Sequence, residues 1–220
     1  MLTRELLSQT IPFLRLSDKV YQALELMNEN NVTHLPVVDG DTFTGLISEE
    51  DLLHAENDHS PIAEMEQSFS NKCVKDDEHF LKAVQMAADN ALSLVPVVNE
   101  ENVLIGSVTY SDLLKFSSEF MSLGEPGGLI VLEMESNQYS FNEISRIVES
   151  NDAQITQLNS SNDPATGLMQ VTIRINKPEI SDLVAAFQRH EYDVKYFLGE
   201  ELYNNELKSN YDNLMNYLKL

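Results

Sequence analysis

The sequence predicts an α+β protein of two consecutive units: a helix–strand–strand–helix pattern that occurs twice, then elements in the order βαββαβ, closed by a terminal helix. Three observations carry this prediction. A long segment recurs with the same local grammar, a glycine-rich break follows its second copy, and the apolar period beyond the break switches between two and about 3.6. A chain of 220 residues has room for two small cores rather than one large one.

The repeat sets the architecture. Ala23 to Leu53 reads ALELMNENNVTHLPVVDGDTFTGLISEEDLL, and Ala83 to Leu114 reads AVQMAADNALSLVPVVNEENVLIGSVTYSDLL. Val20, Leu24 and Met27, like Phe80, Val84 and Ala87, recur at helical spacing and predict an amphipathic helix in each copy. The apolar β-formers at 35–38 and 95–98 are followed by polar turns, Asp39-Gly40-Asp41 and Asn99 to Asn102. Second strands then run from Phe43 to Ile47 and from Val103 to Val108, so each copy holds a hairpin. Pro36 and Pro96 lie 60 apart, whereas Gly45 and Gly106 lie 61 apart, which places the one added residue in the second turn. Each second strand ends at a hydroxyl residue, Ser48 or Thr109, three before Asp51 or Asp112. That spacing predicts an N-cap with an acidic residue in the first helical turn.

Two copies of LPVV or VPVV, then glycine, a hydroxyl residue and Asp-Leu-Leu, resemble the CBS motif family over roughly residues 1–120, with motif 1 at about 1–60 and motif 2 at about 61–120. The resemblance implies that the two motifs pair into one disc-like module. It also implies a regulatory duty, since paired CBS motifs commonly bind adenosine-containing ligands such as AMP, ATP or S-adenosylmethionine in clefts between the motifs. Carried over by position, it sets Ser48 and Thr109 toward ligand phosphate and Asp51 and Asp112 toward ribose hydroxyls. It sets the segments around His34-Leu35 and Leu94-Val95 as the frame of an adenine. The chemistry is coherent: a carboxylate accepts two hydrogen bonds from a diol, and unsatisfied N–H groups at a helix start suit phosphate. The same residues would equally serve as plain helix caps in a module that binds nothing, and His34 as an ordinary strand residue. Nearby cations are few, namely Arg15, Lys19, Lys72, Lys75, Lys82 and Lys115, which favours a monophosphate or neutral adenosine moiety over a triphosphate.

After Leu114 the run FSSEFMSLGEPGG breaks the periodicity with Gly124, Pro126, Gly127 and Gly128. A strand is predicted over Leu129 to Met134, and a helix through Phe141, Ile144, Ile147 and Val148. Strands follow at Ala153 to Asn159 and Leu168 to Ile175, then a helix opened by Pro178 that carries Ile180, Leu183, Val184 and Phe187, and a last strand from Tyr192 to Leu198. That order predicts a ferredoxin-like split βαβ sandwich. Behind a CBS pair, the segment 127–198 resembles an ACT domain, and the whole layout is similar to the acetoin-utilisation AcuB group. Where amino-acid-binding ACT domains often carry glycine, the turn from Glu135 to Ser140 has none. In the closing segment 199–220, Tyr203, Leu207, Tyr211, Leu214 and Leu218 predict a helix with one apolar seam.

Composition narrows the function classes. With 14 Lys+Arg against 36 Asp+Glu the formal charge is -22, a field that repels nucleic acid and anionic membrane surfaces. The sequence holds no run of membrane-spanning length and no secretory leader pattern, and its single cysteine, Cys73, suits a reducing compartment, so a cytoplasmic protein is expected. No catalytic or phosphate-loop pattern occurs, and His54 and His59 match no zinc spacing, so neither an enzyme nor a metal site is expected and no cofactor is required. The expected function is a non-catalytic sensor that binds an adenosine-containing ligand and signals through the ACT-like domain or a partner. The competing expectation is a structural adaptor without a small ligand. Either way a homodimer is expected, from the habit of CBS pairs, the open sheet edges and the apolar seam.

Overall fold

The structure, a computed structural model, describes residues 1–8 and 11–199. The predicted seam at 203–218 lies outside the described residues. The chain divides at Ser117/Ser118 into two compact units.

In the first unit the two copies fold alike. Helix α1 (Val20–Asn30) buries Val20, Ala23 and Met27, and α3 (Leu81–Asn90) buries Ala83 and Ala87, one apolar stripe each. Both end through a left-handed residue, Asn31 (φ 52°) and Ala91 (φ 51°), which turns the next amide back to the helix: Val32 N–H donates to Met27 O and Leu92 N–H to Ala87 O. The hairpins are β2 (His34–Asp39) with β3 (Thr42–Ser48), and β5 (Leu94–Val98) with β6 (Leu104–Thr109). Gly40 (φ 64°) turns the first, and Asn102 (φ 63°), beside the extra residue, turns the second. Short strands β1 (Leu14–Arg15) and β4 (Val74–Lys75) add in parallel to β2 and β5, giving two three-stranded sheets ordered β1-β2-β3 and β4-β5-β6. Helices α2 (Glu49–Leu53) and α4 (Tyr110–Phe120) follow the hairpins.

Cross-bonding makes one module of the two motifs. Thr3 N–H and its hydroxyl both reach Glu78 O at 2.9 Å, so the N-terminal turn docks on the second motif. The turn at Ile62–Ser68 docks on the first, with Ile62 N–H on Asp18 O at 2.8 Å and Ala63 N–H on Leu16 O at 3.0 Å. At the hairpin ends, Phe43 N–H donates to Asn102 O and Asn102 Nδ2 donates to Phe43 O. One continuous core results, holding Leu35, Leu46, Ile47, Phe80, Leu94 and Val108 at 0–1% exposure.

The second unit has the order β7 (Gly128–Met134), α5 (Phe141–Glu149), β8 (Ile155–Asn162), β9 (Met169–Ile175), α6 (Ser181–Arg189), β10 (Asp193–Leu198). Its sheet is antiparallel throughout and ordered β10-β7-β9-β8, the split βαβ arrangement predicted. The core joins Ile130, Leu132, Val171 and Ile173 to Ile144, Val148, Leu183 and Phe187. Helix α6 begins at Ser181, later than the Pro178 start predicted, because Ile180 is instead fully buried beside Gly128. A Cβ at Gly128 would stand 2.2 Å from Ile180 Cγ2, so that approach demands glycine. Among the described residues no helix is long and apolar enough to cross a membrane.

Candidate functional site

Each second strand of the first unit hands over to its helix through a reciprocal cap. Ser48 is extended (φ -97°, ψ 158°); its Oγ accepts Asp51 N–H at 3.1 Å and donates to Asp51 Oδ2 at 2.5 Å, while Ser48 N–H reaches the same oxygen at 3.3 Å. In the second motif Thr109 Oγ1 accepts Asp112 N–H at 3.1 Å, donates to Asp112 Oδ2 at 2.7 Å, and lies 2.9 Å from Ser111 Oγ. The capping duty anticipated for these residues is therefore real. Every one of these carboxylate bonds runs to Oδ2, and among the described residues no hydrogen bond reaches Oδ1 of either half-buried aspartate, which can accept from another group.

Strand pairing brings the remaining predicted residues to these caps. His34 lies opposite Ser48, and Leu94 opposite Thr109. Leu35, Leu94 and Val95 are fully buried in the core, main chain included. His34 is half-buried at the joint between motifs: its Nδ1 accepts Ser93 N–H at 3.3 Å and lies 3.2 Å from Ser93 Oγ and 3.1 Å from Thr33 Oγ1, while Thr33 N–H donates to Ser93 Oγ at 2.9 Å. Burial lowers the pKa of His34, against the raising influence of the Asp51 carboxylate.

Two cavities border successive stretches of β6. A cleft of about 990 Å³ is lined from the first motif by Asn30, Asn31 and Val32 and from the second by Ser93, Thr109 and Tyr110, among others. A smaller cavity of about 210 Å³ lies among Ile11, Phe13, Pro36, Ile105 and Ser107. Among the described residues neither is lined by Lys or Arg, and Lys75 is turned away to Asn99 O at 2.9 Å. Ile11, Phe13, Ile105 and Ser107 escaped the sequence reading because they precede or interrupt the shared motif; aligning the copies outward from Gly45 and Gly106 would have set Ser107 against Leu46. Among the described residues no group of three or more His, Cys, Asp or Glu is placed to hold a metal.

The repeated cap, hairpin and helix geometry coincides with a known domain. The CBS domain family matches residues 4–58 and again 69–119. The first half of the chain is a pair of CBS domains. Inosine-5'-monophosphate dehydrogenase of Methanocaldococcus jannaschii is 25% identical over 133 residues, which are 60% of this chain and 27% of that protein. The chain thus spans about a quarter of the length of the curated relatives it matches. Among solved structures, a CBS domain pair/ACT domain protein of Thermotoga maritima has a TM-score of 0.49 at 24% identity, over 54% of this chain and 98% of that one. A putative acetoin utilization protein (AcuB) of Vibrio cholerae has a TM-score of 0.48 at 20% identity, over 56% and 95%.

Proposed function

We propose that this CBS pair is the sensor of a non-catalytic regulatory protein, that its ligand is an adenosine-containing molecule with AMP as the best-fitting probe, and that the second unit, as an ACT-like domain, passes the signal on. The observation that carries the reading is the pair of hydroxyl–aspartate caps, each holding one carboxylate oxygen in place and presenting the other, with the Thr109 cap opening on a cleft of a size that takes small molecules. A carboxylate so held accepts from a ribose diol without rearranging. The cation-free linings favour a single phosphate, held by hydroxyl and amide donors, over three. Regulation then requires only that the ligand prefer one arrangement of the protein, by about 1–3 kcal/mol.

The test is thermal shift with AMP, ATP and S-adenosylmethionine. A ligand at a hundred times its Kd adds about 2.7 kcal/mol of stability to the parent. The Asp51→Asn/Asp112→Asn double variant, folded by circular dichroism, is expected to bind ten- to a hundredfold more weakly, as loss of a charged acceptor implies. Unchanged affinity in the folded double variant removes the ribose role. A second reading, an adaptor that assembles subunits, is favoured by one observation: Leu53 and Leu114, at matching places in the two motifs, are 68% and 63% exposed beside Tyr110 at 56%. A homodimer through that face is compatible with both readings. A parent that stays monomeric by light scattering at micromolar concentration removes it.

A further inference from the structure

We infer that only the second motif's site takes the ligand, because Leu46 and Phe69 close the first, so that each chain binds one adenosine-type molecule. The inference rests on the adenosine reading above and names which of its two sites works. Strands β3 and β6 correspond residue for residue near their ends: Thr44 with Ile105, Gly45 with Gly106, Leu46 with Ser107, Ser48 with Thr109. Each is crossed by the segment that leads into the other motif, through the bridges Leu46–Ser70 and Ser8–Ser107.

The coverings differ. Over the first strand, Phe69 sits so close that a Cβ on Gly45 would stand 2.6 Å from Phe69 Cβ. Gly45 is buried, Leu46 is 1% exposed, and Leu46 and Ser70 exchange both backbone hydrogen bonds at 2.8 and 2.9 Å. Over the second strand the cover is Leu7, with its Cδ2 at 3.3 Å from the same notional atom. Gly106 is half-exposed where Gly45 is buried, Ile105 is exposed as its counterpart Thr44 is, and the residue corresponding to Leu46 is Ser107, equally buried at 2% but much smaller. The counterparts of Phe69 and Leu46 in the other motif are the smaller Leu7 and Ser107, and a cavity of about 210 Å³ borders Ser107, lined also by Ile11, Phe13, Pro36 and Ile105. Its walls are apolar at Phe13, Pro36 and Ile105 and polar at Ser8 and Ser107, a mixture that suits the face and edge of a nucleobase. One strand position beyond Val108, Thr109 and its partner Asp112 offer the hydroxyl and carboxylate that a ribose needs, and Thr109, Tyr110 and Ser111 border the larger cleft.

Calorimetric titration of the full chain with AMP tests the assignment. One site per chain is expected; Asp112→Asn weakens binding ten- to a hundredfold, and a loss of that size in Asp51→Asn instead contradicts the assignment. Hydrogen–deuterium exchange on the parent needs no variant: saturating AMP is expected to slow exchange over residues 104–112 and to leave 42–51 unchanged, which decides the matter even if Asp112→Asn misfolds. Two sites per chain, or a loss of affinity and a slowing of exchange centred on Asp51, overturns the inference while leaving the adenosine reading intact. No heat and no slowed exchange with AMP, ATP or S-adenosylmethionine overturns the adenosine reading and the inference with it.

Discussion

The two CBS motifs share a backbone and differ in contents, and the differences fall into two kinds. Where the backbone constrains the side chain, the copies keep similar solutions: Asp18 Oδ2 accepts Arg15 N–H as Glu78 Oε2 accepts Lys75 N–H, and Asn30 and Asn90 each donate to the carbonyl four residues back. Where the side chain only fills space, they diverge, as in Val20 against Phe80 and Leu46 against Ser107. A repeat therefore fixes the positions of a site twice while leaving each copy free to open or fill it.

The largest expected contrast lies at Val20 and Phe80, which begin the apolar stripes of α1 and α3 at 1% and 0% exposure. Phe80→Ala should cost about 3–5 kcal/mol through lost transfer energy and a ring-sized cavity, a large share of a small module's stability. Val20→Ala deletes far less and should cost about 2 kcal/mol. Urea unfolding of both variants checks the pair. Equal losses would mean that the second motif collapses onto the vacancy, and that its filling is not specified by packing.

A smaller contrast, of opposite sign, is set by the helix ends. Asn31 and Ala91 hold the same left-handed conformation, which Asn tolerates and Ala does not. Both are exposed at the cleft, so no packing compensates Ala91. Ala91→Gly should raise stability by about 0.5–1 kcal/mol and Asn31→Gly should change it little. A fall in melting temperature for Ala91→Gly would show that the Cβ at this position packs usefully in solution.

Much of this was legible in the sequence. Helices α1 and α3 follow from their apolar stripes, the hairpins from β-formers around polar turns, and both caps from a hydroxyl three before an aspartate, because each signal is local. Strands β1 and β4 were not, since two residues carry no period and their parallel pairing to β2 and β5 is purely tertiary. The start of α6 was misjudged for a similar reason: burial of Ile180 against Gly128 outweighs the preference of proline for a first helical turn. At the site, the caps could be read and the cavity could not, because its walls come from Phe13, Pro36 and Ile105, far apart in the chain.

The least of the contrasts concerns pH. Motif 1 has His34 where motif 2 has the buried Leu94, and Nδ1 of the imidazole faces a main-chain donor. A backbone N–H only donates, so Nδ1, accepting from Ser93 N–H, must be bare, and the neutral ring carries its proton on Nε2. Protonation would turn that acceptor into a donor facing a donor, at the joint that also holds Thr33 N–H on Ser93 Oγ. Burial lowers the His34 pKa in the folded protein, with Asp51 opposing, whereas the unfolded chain titrates at about 6.5. The folded state thus binds this proton less readily than the unfolded one. Its contribution to stability is present in full above pH 6.5 and is lost as pH falls through that value toward the lower folded pKa. His34→Asn keeps an acceptor near the Nδ1 position but does not titrate. Urea midpoints between pH 7.5 and 5 should fall for the parent and fall less steeply for His34→Asn, while carboxylates affect both proteins alike. Parallel slopes in the two proteins would show that His34 does not sense pH, and would leave the joint between motifs indifferent to acid.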